Sequence, residues 1–162
     1  MIIVECYRDQ ALVYRLGFVP QQVRHAHSKS KVIGTVDCIQ RGIGIIDEDP
    51  DAGRPRHLRE YTKRTTVGRI TLLVKEDDDG KRIIQVSPRL EDWLYTIAKR
   101  NKISPGEFGL PDDPRKLHSS SLRRDEGSFG RFLIALVKVK DEEIIRFTEW
   151  IKESGVLEED RA

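Results

Sequence analysis

The chain has 162 residues, of which 38% are hydrophobic and 35% charged, and its formal net charge is +2. That length suits one domain with a substantial core, and the composition excludes collagen-like, disulfide-stapled and membrane-embedded classes. The near balance of charge excludes a uniformly basic nucleic-acid binder, so a polyanion would have to meet local basic patches. The two cysteines, Cys6 and Cys38, lie in apolar segments far apart and read as reduced core residues. With no apolar stretch of membrane-spanning length and no leader-like N-terminus, a cytoplasmic protein that makes no membrane contact is expected.

Ile2-Ile3-Val4 opens the chain as a strand apolar on both faces, as in a parallel sheet, and it ends in Glu5. Asp9 is placed to cap a short helix carrying Leu12, Val13 and Leu16, with Gly17 as its stop. The segment from Val19 to His27 reads as either a short second strand or a loop. Val32, Ile33, Val36 and Ile39 then recur at helical spacing, with Ser28 or Ser30 as cap and Gly42 beyond the end. Gly42-Ile43-Gly44-Ile45-Ile46 is a further apolar strand and runs straight into Asp47-Glu48-Asp49-Pro50-Asp51. This alternation of strands and helices implies right-handed crossovers and an α/β fold built on a parallel sheet.

From Asp51 to Thr66 the chain is polar and reads as a loop or a solvated helix. Arg69 to Lys75 alternates around Ile70, Leu72 and Val74 as a strand, Glu76 to Gly80 is a charged turn, and Arg82 to Val86 is the returning strand. Pro88 opens a helix with Leu90, Trp93, Leu94 and Ile97 on one face. Ser104-Pro105-Gly106-Glu107 is a capping box ahead of a short helix that Gly109 and Pro111 end. Pro111 to Gly127 reads as a charged loop, a lid or an insertion. Two helical faces follow, Phe129 to Val137 and Ile144 to Ile151, and an acidic tail from Val156 is expected to fray. The expected organisation is one domain over 1–162, with its core in 1–100 and a helical extension in 101–162.

Acids at the ends of apolar strands put negative charge where α/β folds bind ligands. Glu5, Asp47 and Asp49 form such a set, since carboxylates two apart on an extended segment point the same way and suit a hard cation. In that reading Asp47 and Asp49 hold the cation, and Glu5 completes the shell or serves as general acid or base. Glu91, at a helix start, reaches a second cation or is simply favoured by the helix dipole. Lys29 and Lys31 are placed either to offset charge building on a phosphate or to be solvated at a helix start. A basic run, Arg54, Arg56, His57, Arg59, Lys63, Arg64 and Arg69, follows the acidic loop and suits a phosphate backbone, with Tyr61 as an aromatic among it. A second basic set, Arg115, Lys116, His118, Arg123 and Arg124, lies in the later loop. His25 and His27 share a face if their segment is extended, as transition-metal ligands or as phosphate-contacting or exposed histidines.

The order of these features resembles the Toprim fold of topoisomerases, primases and nucleases of the OLD family. That fold has a glutamate after its first strand, matched by Ile3-Val4-Glu5, and an Asp-x-Asp after its third, matched by Asp47-Glu48-Asp49. Asp9 fits the acid that often follows the glutamate, and Ser28-Lys29-Ser30-Lys31 fits a basic segment before the second helix. Pro88-Arg89-Leu90-Glu91-Asp92-Trp93 is similar to a Pro-x-x-Glu-x-Trp segment of small stand-alone Toprim-like proteins encoded near ATPases or in defence loci. The family's usual glycine after the glutamate is Cys6 here, and Pro50 follows the acidic pair. The resemblance covers about the first hundred residues. It implies a Rossmann-like, mainly parallel sheet flanked by helices, with further C-terminal helices.

For function, the resemblance implies a Mg²⁺- or Mn²⁺-dependent nuclease or nuclease subunit with Glu5, Asp9, Asp47, Asp49 and Glu91 at the metal. Lys31 would join the catalytic set, while Lys29, Arg54, Arg56, Arg59, Lys63 and Arg64 would contact nucleic acid. A separate ABC- or OLD-like ATPase is the implied partner, because this chain has no phosphate-binding Gly-x-x-x-x-Gly-Lys-Ser/Thr loop. Two other readings stand beside it: a non-catalytic interaction subunit of the same fold, and a receiver-like signalling domain, which also gathers acids at strand ends.

Overall fold

The apolar runs become strands where β-branched residues can be buried on both faces, and amphipathic segments between them become the covering helices. The computed structural model describes residues 1–120 and 122–156, with side chains outside 122–125. Its strands are β1 (Ile2–Val4), β2 (Val23–His25), β3 (Gly42–Asp47), β4 (Tyr61–Val67), β5 (Ile70–Lys75) and β6 (Asp78–Val86). Its helices are α1 (Tyr7–Arg15), α2 (Lys29–Cys38), α3 (Leu90–Arg100), α4 (Pro114–Ser119), α5 (Leu122–Lys138) and α6 (Glu142–Glu153). The strands form one six-stranded sheet in the order β2-β1-β3-β6-β5-β4. The β1–β2, β1–β3 and β3–β6 pairs are parallel, and β5 and β4 add an antiparallel edge. This is an α/β fold with a mostly parallel sheet, flanking helices and C-terminal helices.

The period-two alternation of strands divides the core between two faces. Ile2, Val4, Ile43, Ile45, Leu72, Val74, Ile84 and Val86 pack on one face with α1, α3, α5 and α6, in a cluster that runs through to Val156. Ile3, Ile46, Leu73 and Ile83 pack on the other with Val32, Ile33 and Val36 of α2. Gly44 allows that second contact, because a Cβ there would lie 2.7 Å from Val32 Cγ1 and 2.8 Å from Ile83 Cδ1. The chain leaves β1 for β2 beneath α1 and returns to β3 beneath α2. Opposite directions on opposite faces keep both crossovers the same hand.

The sequence expectations need correction at several elements. Asp9 does not cap α1: Cys6 is the N-cap, and Asp9 sits in the first turn and accepts the Cys6 amide at 3.0 Å. Of the two readings of Val19 to His27, the strand holds, as β2. The segment expected to be loop or helix before Thr66 instead holds a 3-10 turn, Arg56–Glu60, and most of β4. β4 is an edge strand with Thr62 to Thr66 exposed, so no apolar alternation announced it, and its Lys63 and Arg64 suit an edge that must not pair further. The charged turn is shorter than expected, because β6 begins at Asp78. Pro111 to Gly127 is largely helical: Asp113 caps α4 through the Arg115 amide at 2.9 Å, and α5 starts at Leu122. Cys38 is exposed at the end of α2 and is no core residue, and Cys6 is half-buried; both are free. The acidic tail beyond Val156 lies outside the described residues. Among the described residues no helix is long and apolar enough to cross a membrane.

β4 turns into β5 through Gly68 and Arg69, and the turn is welded to α6. Glu143, buried at the start of α6, accepts the Arg69 amide at 2.8 Å and the Trp93 indole at 3.3 Å, and pairs with Arg100 at 2.5 Å. Gly68 has φ +54°, and a Cβ there would lie 2.1 Å from Glu143 Oε1. Gly68→Ala combines left-handed strain with overpacking against a buried carboxylate, and is expected to cost about 2 kcal/mol or more. A urea-denaturation midpoint equal to that of the wild type would contradict this.

Candidate functional site

In the order β2-β1-β3 the chain moves to one side of β1 and then crosses to the other. The C-terminal ends of β1 and β3 therefore flank the topological switch point of the sheet, where loops diverge and leave a crevice. Glu5 follows β1 and Asp47 ends β3, which brings them together: Glu5 Oε2 accepts the Asp47 amide at 3.2 Å. Two helices that start at the same edge add Asp9 from α1 and Glu91 from α3. Asp9 is 3% exposed and Glu91 2%. The sequence thus places acids at this edge twice through strands and twice through helix starts.

Three of these carboxylates each accept a backbone N–H with one oxygen: Glu5 from Asp47 at 3.2 Å, Asp9 from Cys6 at 3.0 Å, and Asp47 from Leu90 at 3.0 Å. Such bonds fix the carboxylate planes while using one oxygen apiece. Asp9 Oδ1 is buried and has no hydrogen-bond partner among the described residues. The shared negative charge shows in the acidities. Burial pushes the Asp47 carboxyl up to about 9, and the charges of Asp9, Glu91 and Glu5 add to it. Burial likewise pushes Asp9 up to about 7, with Glu5 and Glu91 adding to it against the Cys6 hydrogen bonds. Glu5 is raised by burial, against the pull of the Asp47 amide and of Lys29. No three of these acids bring ligand atoms within 4.8 Å of one another.

Basic side chains border the acids. Arg8 Nη1 is 3.7 Å from Glu91 Oε1, and His118 Nδ1 of α4 is 3.2 Å from Glu91 Oε2. Lys29 Nζ donates to the Glu48 carbonyl at 2.7 Å, and Ser87 Oγ donates to Glu48 Oε2. Neither Arg8 nor Arg89 was singled out in the sequence, although each sits beside a conspicuous acidic motif. His118 carried no signal beyond membership of a basic loop.

Asp49 departs from the sequence expectation. The strand ends at Asp47, and Asp49 has φ 42°, a left-handed conformation. Its carboxylate is held by Arg89 Nη2 at 3.2 Å, so it does not share a face with Asp47 in an extended run. Its charge still reaches Glu5 and raises that carboxyl.

The basic run divides. Lys29, Arg54 and Lys63 line one groove of about 560 Å³ with Glu48, Pro50, Ala52 and Gln85. Arg56 and Arg59 lie on the 3-10 turn before Tyr61, and Tyr61 pairs with Lys75 at the end of the sheet opposite to Val86. Arg64 stands 3.7 Å from Asp79, near the start of β6 and away from the acids. Of the two lysines at the start of α2, Lys29 acts on Glu5, whereas Lys31 lines a separate groove with Arg24, His25 and His27. Tyr61 points its hydroxyl at Asp37 at 2.7 Å and is buried, so it offers no stacking surface.

Asp37, His57 and Glu60 bring ligand atoms within 4.8 Å of one another. Lys75 Nζ already lies 3.0 Å from Asp37 and 3.5 Å from Glu60, so this exposed group carries its own cation. Comparison with family models, with curated proteins and with solved structures finds no match.

Proposed function

We propose that this protein is a Mg²⁺- or Mn²⁺-dependent phosphodiester hydrolase of Toprim-like architecture acting on nucleic acid, as a nuclease or the nuclease subunit of a larger system. The observation that carries this reading is the set Glu5, Asp9, Asp47 and Glu91 at the switch point, with the Asp9 Oδ1 oxygen buried and unpartnered. Clustered buried acids whose pKa values are raised, as at Glu5, Asp9 and Asp47, are in deficit of positive charge, and oxygen-only ligands select a hard divalent cation. When bound, such a cation supplies charge neutralisation of a phosphate and an acidified water.

The chain's own residues supply the rest. Asp9 and Asp47 would hold the cation and Glu5 would complete its shell or serve as the base, with planes set by backbone amides. Glu5, half-buried and with its pKa raised by burial, is the group suited to take a proton from an attacking water. Lys29 is tied to the Glu48 carbonyl beside Glu5 and, with Arg54 and Lys63, lines a groove suited to phosphates approaching the acids. Lys31, proposed from sequence as catalytic, is assigned to the other groove. Glu91 is held by Arg8 and His118, so it orients those side chains toward the site as readily as it binds metal. A separate ATPase partner and a defence role rest on the sequence resemblance alone.

The experiment is cleavage of labelled DNA and RNA oligonucleotides, single- and double-stranded, with Mg²⁺, Mn²⁺ or EDTA. Cleavage that needs the divalent cation is expected, and a purified protein inert on all of them overturns the catalytic reading. The Arg8 contact on Glu91 favours a second reading, a non-catalytic subunit in which the acids are offset by protein side chains; it predicts no divalent-metal binding. A receiver-like domain is disfavoured, because beyond β6 the sheet continues into two antiparallel strands rather than the all-parallel 2-1-3-4-5 order.

A further inference from the structure

Beside the acids, on the β2 side of the same sheet edge, three rings form a ladder. Tyr7, at the first position of α1, lies 4.3 Å from His25 with the rings tilted by 39°, and His25 meets His27 edge-on at 3.9 Å and 60°, centroid to centroid. Tyr7 is 53% exposed, so one side of its ring is open to solvent. His27 has φ 68°, so left-handed backbone turns its ring back onto His25. The ladder is tied to the acidic cluster, because the His25 Nε2 lies 3.1 Å from the carbonyl oxygen of Glu5. It also borders the groove of about 690 Å³ lined by Arg24, His25, His27, Ser30 and Lys31, two of them cationic. An exposed tyrosine ring backed by two histidines, cations along the adjoining groove and an acidic centre beside it make the arrangement of a stacking platform with a phosphate track.

We infer that the Tyr7–His25–His27 ladder stacks an unpaired base next to the acidic centre, so that the substrate class of this site is single-stranded nucleic acid. This rests on the proposed hydrolase reading for the role of the acids, but not for the stacking itself. A duplex hides the faces of its bases inside the helix, so only an unpaired nucleotide offers Tyr7 a face. Arg24 and Lys31 would then meet backbone phosphates on one side of the ladder, and Lys29, Arg54 and Lys63 on the other. That division explains why the basic residues at the start of α2 line two grooves.

The test is equilibrium binding of fluorescent oligonucleotides in EDTA, where no cleavage occurs, to the wild type, Tyr7→Ala and Tyr7→Phe. Loss of one stacked base weakens binding by about tenfold. Tyr7→Ala is expected to show that loss for single strands and none for duplex, while Tyr7→Phe binds as the wild type does. Replacing one base of the strand by an abasic site should cost the same, and should cost nothing further in Tyr7→Ala; a merely structural role for Tyr7 gives additive losses. Tyr7→Ala binding single strands as tightly as the wild type overturns the inference, as does a loss in Tyr7→Phe as large as in Tyr7→Ala, or a wild type that binds no single strand. Binding with the expected losses but no metal-dependent cleavage would overturn the hydrolase reading and leave the platform standing.

Discussion

Glu5→Gln and Asp47→Asn are each expected to lower metal-dependent cleavage by about a thousand-fold or more, with folding retained. The size follows from what each carboxylate does. Asp47 is wedged among Asp9, Glu91 and Glu5, and its Oδ1 is fixed by the Leu90 amide at the start of α3. An amide in its place keeps the shape and the Leu90 contact but removes the charge that offsets a cation. Glu5 bonds the Asp47 amide, so Gln keeps the link between β1 and β3 while losing both the charge and the proton acceptor. Asp49→Asn is expected to do far less, because its carboxylate is turned away onto Arg89. Single-turnover rates with Mg²⁺ check this, and equal losses at Asp49 and Asp47 would contradict the geometry.

The same substitution should make the metal-free protein more stable, and the pH dependence should run opposite to that of ordinary surface acids. Burial and like charge raise Asp47 to about 9 and Asp9 to about 7, from an ordinary value of 3.8. Between the unfolded and folded values the native state binds more protons, so stability falls as pH rises from about 4 through 7 and toward 9. In EDTA the melting temperature should therefore drop by about 5 °C or more from about pH 5 to pH 9. Asp47→Asn should flatten that slope and raise the melting temperature at the alkaline end. Mg²⁺ should stabilise the wild type most at the alkaline end, where the acids are ionised, and Asp47→Asn little. Asp141 behaves in the usual way: burial raises it, but hydrogen bonds from Arg100, Asn101 and the Glu143 amide outweigh that and hold it low. Its contribution is lost only as pH falls below the ordinary carboxylate range, outside the window of Asp9 and Asp47. A melting temperature that climbs with pH in EDTA would contradict the clustering of the acids.

How far the sequence foretold this arrangement depended on burial. β1, β3, α2 and α3 were legible because their apolar residues face a core, and Glu5 and Asp47 were legible because they stand where those runs stop. β4 was not, because an edge strand pairs on one side and Thr62 to Thr66 are exposed, which erases the alternation. α4 carried its signal in Asp113-Pro114, a cap followed by proline at the first helical position, but the charged surroundings read as loop. Asp9 and Glu91 entered through sequence likeness and helix-start chemistry, and only the packing of α1 and α3 on one sheet face explains their approach to Asp47. The turn at Asp49 and the partners of Glu91 depend on tertiary contacts with Arg89, Arg8 and His118, which no local pattern encodes. For the same reason Lys29 and Lys31, adjacent in composition and spacing, separate to different grooves.

The claim on which the rest depends is that the switch-point carboxylates bind a divalent cation. Electron paramagnetic resonance of free Mn²⁺ during titration with the protein, near neutral pH, measures this without any substrate. The account predicts that the wild type depletes free Mn²⁺ at stoichiometric ratios, that Mg²⁺ competes, and that Asp47→Asn abolishes the depletion. A wild type that leaves the Mn²⁺ signal untouched, or Asp47→Asn binding as the wild type does, would contradict it.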